Sequence, residues 1–280
     1  MKLGVTMFAT DYAMRPDDLA VACEDRGFES VWFPEHTHIP ASRKSPWPGG
    51  ADLPKEYWHT HDLFVTMMAA AAATKTIKIG SGICLVIERD PIVMAKSVAS
   101  VDQLSNGRVL FGIGGGWNAE EMENHGTPFN RRWKVLREKI EAMKEIWTKD
   151  TAEYHGEFVN FDPMWSHPKP YQKPYPPILL GTFNGGLNRV VNYCDGWIPV
   201  GFFNKDLPES IKELGARAEQ AGKKGGDFPV SIFGASDKAE DLANLQKLGA
   251  ERAVFVLPSE GRDKILPMLD TYAKLVVKFA

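Results

Sequence analysis

The sequence predicts an α/β chain closed into a (β/α)8 barrel, a TIM barrel, with an inserted segment between its fourth and fifth strands. Three observations predict it. Strand-like and helix-like stretches alternate almost from end to end. The 280 residues are long for an ordinary domain and normal for one α/β barrel. Polar and glycine-rich stretches follow the strand-like runs, which is where a barrel of this kind carries its chemistry. Residues 1–280 therefore read as one barrel domain, without repeats or low-complexity tracts.

Taken in order, Lys2–Phe8 reads as the first strand and Pro16–Arg26 as a helix, with proline at its start and Gly27 just past its end. Glu29–Phe33 is the second strand. A loop rich in Pro, Gly and Trp follows over Pro40–Trp58, then an Ala-rich helix from about His61 to Thr74. Ile77–Ile83 is the third strand, and Pro91–Leu104 the third helix, stopped by Ser105-Asn106-Gly107. Arg108–Phe111 is the fourth strand. Arg131–Thr148 places Val135, Leu136, Ile140, Met143 and Ile146 at helical spacing. Thr151–Pro177 breaks the rhythm with aromatics and prolines and reads as an insertion or lid. Strands Ile178–Leu180, Gly196–Val200, Val230–Phe233 and Ala253–Leu257 then alternate with helices Leu187–Cys194, Leu207–Gly222, Lys238–Leu248 and Arg262–Val277. Eight strands and eight helices close most naturally as a barrel.

The fourth strand empties into Gly112-Ile113-Gly114-Gly115-Gly116-Trp117-Asn118, and acidic residues follow as a helix begins. Glycines leave backbone N–H groups unblocked, so the loop reads as an anion site; a tight turn without a ligand is the alternative. A dinucleotide fingerprint is excluded, because its third glycine falls at Trp117. The fifth strand exits through Gly181-Thr182-Phe183-Asn184-Gly185-Gly186, a second glycine-rich turn, and two such loops point to an extended phosphorylated ligand. Gly82–Ile83, inside or just past the third strand, marks a bulge or a close backbone approach. After the second strand come Glu35, His36 and His38. His36 beside Glu35 suits proton transfer near neutral pH. A metal reading of His36-Thr37-His38 fails for want of ligands at the later strand exits. Trp47, Trp58, Trp117 and Trp165 lie in loops and read as walls for a flat aromatic ligand, or as simple packing of the lid. The polar exits gather on strands two to five, so the ligand is expected over that half.

Composition narrows the class. A net charge of −3 gives no basic surface for nucleic acid or anionic membrane. The most apolar window, Leu63–Ala73, is too short to span a bilayer, and the opening residues lack the pattern of a secretory leader. Cys23, Cys84 and Cys194 are few, odd in number and widely spaced, which fits reduced thiols and a cytoplasmic location. There is no nucleophile elbow and no P-loop. From the residues alone the reading is a barrel enzyme acting on a small molecule, with a phosphate-bearing ligand.

Beyond that, IKIGSGICLV, PPILLGT, YCDGWIPVG and the signature AK-x5-D-x-LS-x-GR-x3-G-x-G-x-GW-x2-EE resemble the bacterial luciferase-like superfamily. Pro34-Glu35-His36, DLP-x2-YW and WSHPKPYQKPYPP make the chain most similar to its coenzyme F420-dependent oxidoreductase branch. The resemblance covers nearly the whole chain. It implies a barrel with an insertion, hydride transfer at a deazaflavin ring, and homodimers. It also implies a cis peptide at Gly82–Ile83 behind the ring, beside Ser81, and His36 next to the ring with Glu35 alongside. The phosphate would lie between Gly114-Gly115-Gly116-Trp117-Asn118 and Gly181-Thr182-Phe183. Thr182 replaces a more usual glycine. Trp117 stands where sugar-phosphate dehydrogenases of the superfamily carry an acid, which points to an apolar or aromatic substrate. Two other readings remain open: an FMN-dependent monooxygenase, which would consume oxygen, and a non-catalytic flavin- or deazaflavin-binding protein.

Overall fold

A computed structural model describes residues 1–50, 52–201, 206–224 and 228–279. Eight strands run parallel: β1 (Lys2–Thr6), β2 (Ser30–Phe33), β3 (Lys78–Ser81), β4 (Val109–Gly114), β7 (Ile178–Gly181), β8 (Gly196–Ile198), β9 (Ser231–Phe233) and β10 (Arg252–Val256). They pair in the order β8-β7-β4-β3-β2-β1-β10-β9. Parallel bridges Trp197–Val230 and Val200–Phe233 join the two ends and close the barrel. The strands are buried along almost their whole length, as a parallel sheet covered on its outside must be.

The barrel interior is packed by Trp32, Leu110, Leu179, Ile198, Phe233 and Val254, with Ile83 against them. Gly80 is glycine because the Trp32 ring occupies the space its Cβ would need. Outside the strands lie α1 (Pro16–Asp25), α3 (Leu63–Ala73), α4 (Pro91–Leu104), α6 (Arg132–Thr148), α7 (Leu187–Tyr193), α8 (Leu207–Gln220), α9 (Ala239–Lys247) and α10 (Arg262–Phe279). Local signals start them. Asp62 accepts from the N–H groups of Phe64 and Val65 at the head of α3, and Asp90 caps α4 ahead of Pro91.

Several expected boundaries move. The loop over 40–58 ends in a short helix, α2 (Glu56–His59). β4 continues past Phe111 to Gly114, since a strand tolerates these glycines where its neighbour crowds it. A Cβ on Gly112 would strike the Ser81 carbonyl, and one on Gly114 the Ile83 side chain. The register shows why that crowding exists. Gly80 pairs with Leu110 and the next bridge joins Cys84 to Ile113, so four residues on the β3 side oppose three on β4. Between them the Gly82–Ile83 peptide is cis. The segment 151–177, read as an insertion or lid, contains an antiparallel hairpin of β5 (Thr151–His155) and β6 (Asn160–Trp165). It packs on α6: Tyr154 donates to Glu141, and Glu138 accepts from the Phe158 N–H at 2.6 Å. None of its residues lines the cavity at the strand ends.

Candidate active site

At the C-terminal ends of the strands lies a cavity of about 580 Å³. Its base is Ile83, Ile198 and Phe233, the top of the barrel core, so the wall begins where interior packing stops. Met7, Phe8, Val256 and Leu257 close one side, and the β4 and β7 exits the other. The cavity thus extends beyond strands two to five, the half over which the ligand is expected. The strands on the opposite half present apolar side chains at the mouth, and an apolar strand end carries no polar signal to read.

The sequence-predicted residues separate into two groups. Gly82, Ile83, Gly115, Gly116, Trp117, Gly181, Thr182, Phe183, Glu35 and His36 all line the cavity. Ser81, Gly114 and Asn118 stand behind its wall. Ser81 is fully buried and donates to the Gly112 carbonyl at 2.8 Å. Gly114 makes room for Ile83, and Asn118 caps α5 (Ala119–Asn124) by accepting from the Glu121 N–H. The loop residues also part company. Trp47 and Tyr57 reach the cavity, Trp58 and Trp165 are exposed elsewhere, and none of 151–177 contributes.

At the β4 exit, Gly116 has φ +63°, a left-handed turn that favours glycine. A Cβ on Gly115 would sit 2.9 Å from the Trp133 ring. Among the described residues the N–H groups of Gly115, Gly116 and Trp117 donate to no protein acceptor. Unmatched backbone donors at a cavity rim are the arrangement that receives an anion. The residues present therefore fit a ring-bearing phosphate ligand: an apolar base for the ring and free amides for the phosphate.

His36 is buried in the wall next to this loop, edge-on to Trp117 at 5.8 Å between ring centroids and tilted against Tyr57 at 5.1 Å. Its Nδ1 lies 2.7 Å from Oε2 of Glu121, whose other oxygen accepts from the Thr37 N–H. An ionised Glu121 holds the proton on Nδ1 and leaves Nε2 to exchange a proton with the cavity. Sequence reasoning missed Glu121 as the partner of His36. Its signal was the second acid of the GW-x2-EE run, which the α5 turn brings 85 positions back in sequence. Glu35, expected beside His36 at the reacting centre, lines the cavity and also has partners of its own. Its carboxylate accepts from the Leu85 N–H at 2.7 Å and from both Arg89 Nε and Nη2, so it anchors the loop after β3. Arg89 in turn reaches Asp62.

Behind this pair lies a second buried acid, Glu88. Neither of its oxygens has a hydrogen-bond partner among the described residues, and the nearest cation-capable group is His125 Nε2 at 4.0 Å. Burial, then the charges of Glu121 and Glu35, push its carboxyl up to about 9. His38 does not join His36. Its ring nitrogens face the Thr37 hydroxyl and the Asn124 side chain. Among the described residues no group of three or more His, Cys, Asp or Glu is placed to hold a metal. Cys23, Cys84 and Cys194 are free and buried, and among the described residues no helix is long and apolar enough to cross a membrane.

The chain resembles known proteins in sequence and in fold. Residues 11–252 match the profile of the luciferase-like monooxygenases. An uncharacterized protein of Mycobacterium tuberculosis is 38% identical over 268 residues, covering 94% of each chain. An FMNH2-dependent dimethylsulfone monooxygenase of Pseudomonas putida is 31% identical over 54% of this chain and 42% of its own. Among solved structures, a monooxygenase of Streptomyces bottropensis superposes with a TM-score of 0.80 over the full length of both chains at 17% identity. A coenzyme F420-dependent tetrahydromethanopterin reductase of Methanopyrus kandleri superposes with a TM-score of 0.77 over 99% of both, also at 17% identity. These two share the closed barrel. The family profile and the mycobacterial relative together establish that the chain belongs to the luciferase-like monooxygenase family.

Proposed function

We propose that the protein is a coenzyme F420-dependent oxidoreductase acting on an apolar or aromatic organic substrate. The observation that carries the reading is His36, held by Glu121 at the wall of a mainly apolar cavity whose rim at the β4 exit offers free backbone amides. When bound, the 5-deazaflavin supplies hydride donation or acceptance at its C5. The protein supplies the rest. Ile83, Ile198 and Phe233 support the ring and keep water from its face. The amides of Gly115–Trp117, with the Gly181–Phe183 turn opposite, hold the phosphate. His36 Nε2 gives or takes the proton that accompanies reduction or oxidation of the substrate, and Glu121 keeps the imidazole in the tautomer that can do so. Met7, Phe8, Trp47 and Leu257 shape the substrate side and disfavour a charged sugar phosphate.

Likeness to the tetrahydromethanopterin reductase supports F420, and the dimethylsulfone monooxygenase supports FMN as the second reading. Titration of the cofactor-free protein with each, followed by fluorescence, separates them. Tight binding of F420 with little affinity for FMN is expected, and no oxygen uptake during turnover. Tight binding of FMN alone, with oxygen consumed, would replace the proposal by the monooxygenase reading.

A further inference from the structure

The start of α6 is rich in cations, and nearly all of them are neutralised. Arg131 and Lys134 pair with Glu157, and Arg137 pairs with Glu141 at 2.7 Å. Arg132 is the exception. Its guanidinium lies 3.9 Å above the Phe129 ring and 5.5 Å from the Trp133 centroid, and one nitrogen donates to the Phe129 carbonyl. Its Nε is buried without an acceptor, and among the described residues no carboxylate reaches it. Arg189, on α7, stacks over the same Trp133 at 4.3 Å and likewise has no acidic partner among the described residues. The two guanidinium groups are close enough that Arg189, after burial, helps depress the proton affinity of Arg132. Like charges held this close without a counter-ion cost free energy, which a bound anion would recover.

Position makes the pair informative. Trp133 is the ring that meets Gly115, so it walls the loop assigned to the phosphate. A ligand leaving that loop toward α6 and α7 runs onto Arg132 and Arg189. FMN ends at its phosphate. F420 continues through a phosphodiester into a chain of γ-linked glutamates, each with a free carboxylate.

We propose that Arg132 and Arg189, flanking Trp133, form a second anion subsite that takes the carboxylates of the cofactor's tail and so sets the preference for a long-tailed deazaflavin. This rests on the F420 reading and adds a site beyond the phosphate loop. Because the pair is half-exposed, its contribution is screened and falls as salt rises.

The test is equilibrium titration by deazaflavin fluorescence with F420-0, which lacks glutamate, and with F420 bearing several glutamates, against wild type, R132Q/R189Q and R132K/R189K. Tail glutamates are expected to tighten wild-type binding about tenfold at low ionic strength. The glutamine variant loses that gain while keeping its F420-0 affinity, and the lysine variant keeps most of it. Equal affinity of wild type for both ligands would overturn the inference while leaving the cofactor assignment standing. So would an equal loss for both ligands in the glutamine variant, which would assign the arginines to the phosphate instead. If neither deazaflavin binds and FMN does, the cofactor assignment itself falls, and the subsite with it.

Discussion

At His36 the chemistry depends on one hydrogen bond. Replacing Glu121 with Gln keeps the size and lets the amide oxygen accept from Thr37, which turns the amide NH2 toward Nδ1. The imidazole then carries its proton on Nε2, the wrong tautomer for accepting one. E121Q is expected to lower kcat about 100-fold, with little change in cofactor affinity and a displaced limb in the pH–rate profile. Wild-type kcat in this variant would remove Glu121 from the mechanism. At the β4 exit, Gly115→Asp places a Cβ against Trp133 and a carboxylate beside the unmatched amides. Cofactor binding should weaken by at least about tenfold. Gly115→Ala, which carries the bulk without the charge, should lose less, and equal affinity in all three proteins would exclude this loop from the phosphate site.

Among the elements, the turn from α3 into β3 shows how the barrel is pinned on the face away from the site. Glu24, on α1, accepts from the N–H groups of Lys75, Thr76 and Ile77. Arg108, at the foot of β4, donates to the carbonyls of Ala71, Thr74 and Ile77. An anion and a cation from two different elements thus satisfy both halves of one turn's backbone. Burial alone would raise the Glu24 carboxyl, but these backbone donors outweigh it and hold it down at about 2. A carboxylate with a depressed folded value contributes stability that is full above its ordinary value of 4.5 and lost as pH falls through about 2. E24Q should therefore unfold more easily than wild type at pH 7, with the difference shrinking between pH 4.5 and 2. A difference that persists at pH 2 would mean the charge is not what holds the turn.

For the molecule as a whole, Glu88 reverses that sign. Its proton is bound in the folded chain up to about 9 and released near 4.5 in the unfolded chain. Between those limits the native state binds more protons, so its contribution to stability falls as pH rises. Lys139 works the other way, but only from about 8 upward, where burial has lowered its proton affinity. Thermal melts of wild type and E88Q at pH 5 and pH 8 isolate the effect. The variant should gain on wild type by about 2 °C or more on going to pH 8. A constant difference between the two pH values would mean Glu88 is ionised in the folded state.

Fold class and the glycine loops were legible from the sequence because they are local: period, strand exits and glycine runs depend on neighbours along the chain. The alternation around Val5, Val31, Ile79 and Phe111 determined a closed parallel barrel, and the run from Arg108 to Glu121 determined where a ligand's anion is expected. Glu35 and Glu121 show where local reading stopped. One is claimed by Arg89 and Leu85 and the other by His36, from 54, 50 and 85 positions away. The hairpin at 151–177 carried the aromatics of a lid, yet its register and its contacts with α6 turned it outward. The apolar half of the cavity was silent in the sequence, because Met7, Phe8, Val256 and Leu257 look like any strand core until barrel closure leaves them at an open end. Identity along the chain determined which groups were available; only closure of the barrel decided which pairs meet, because partners distant in sequence are chosen by packing and charge in three dimensions.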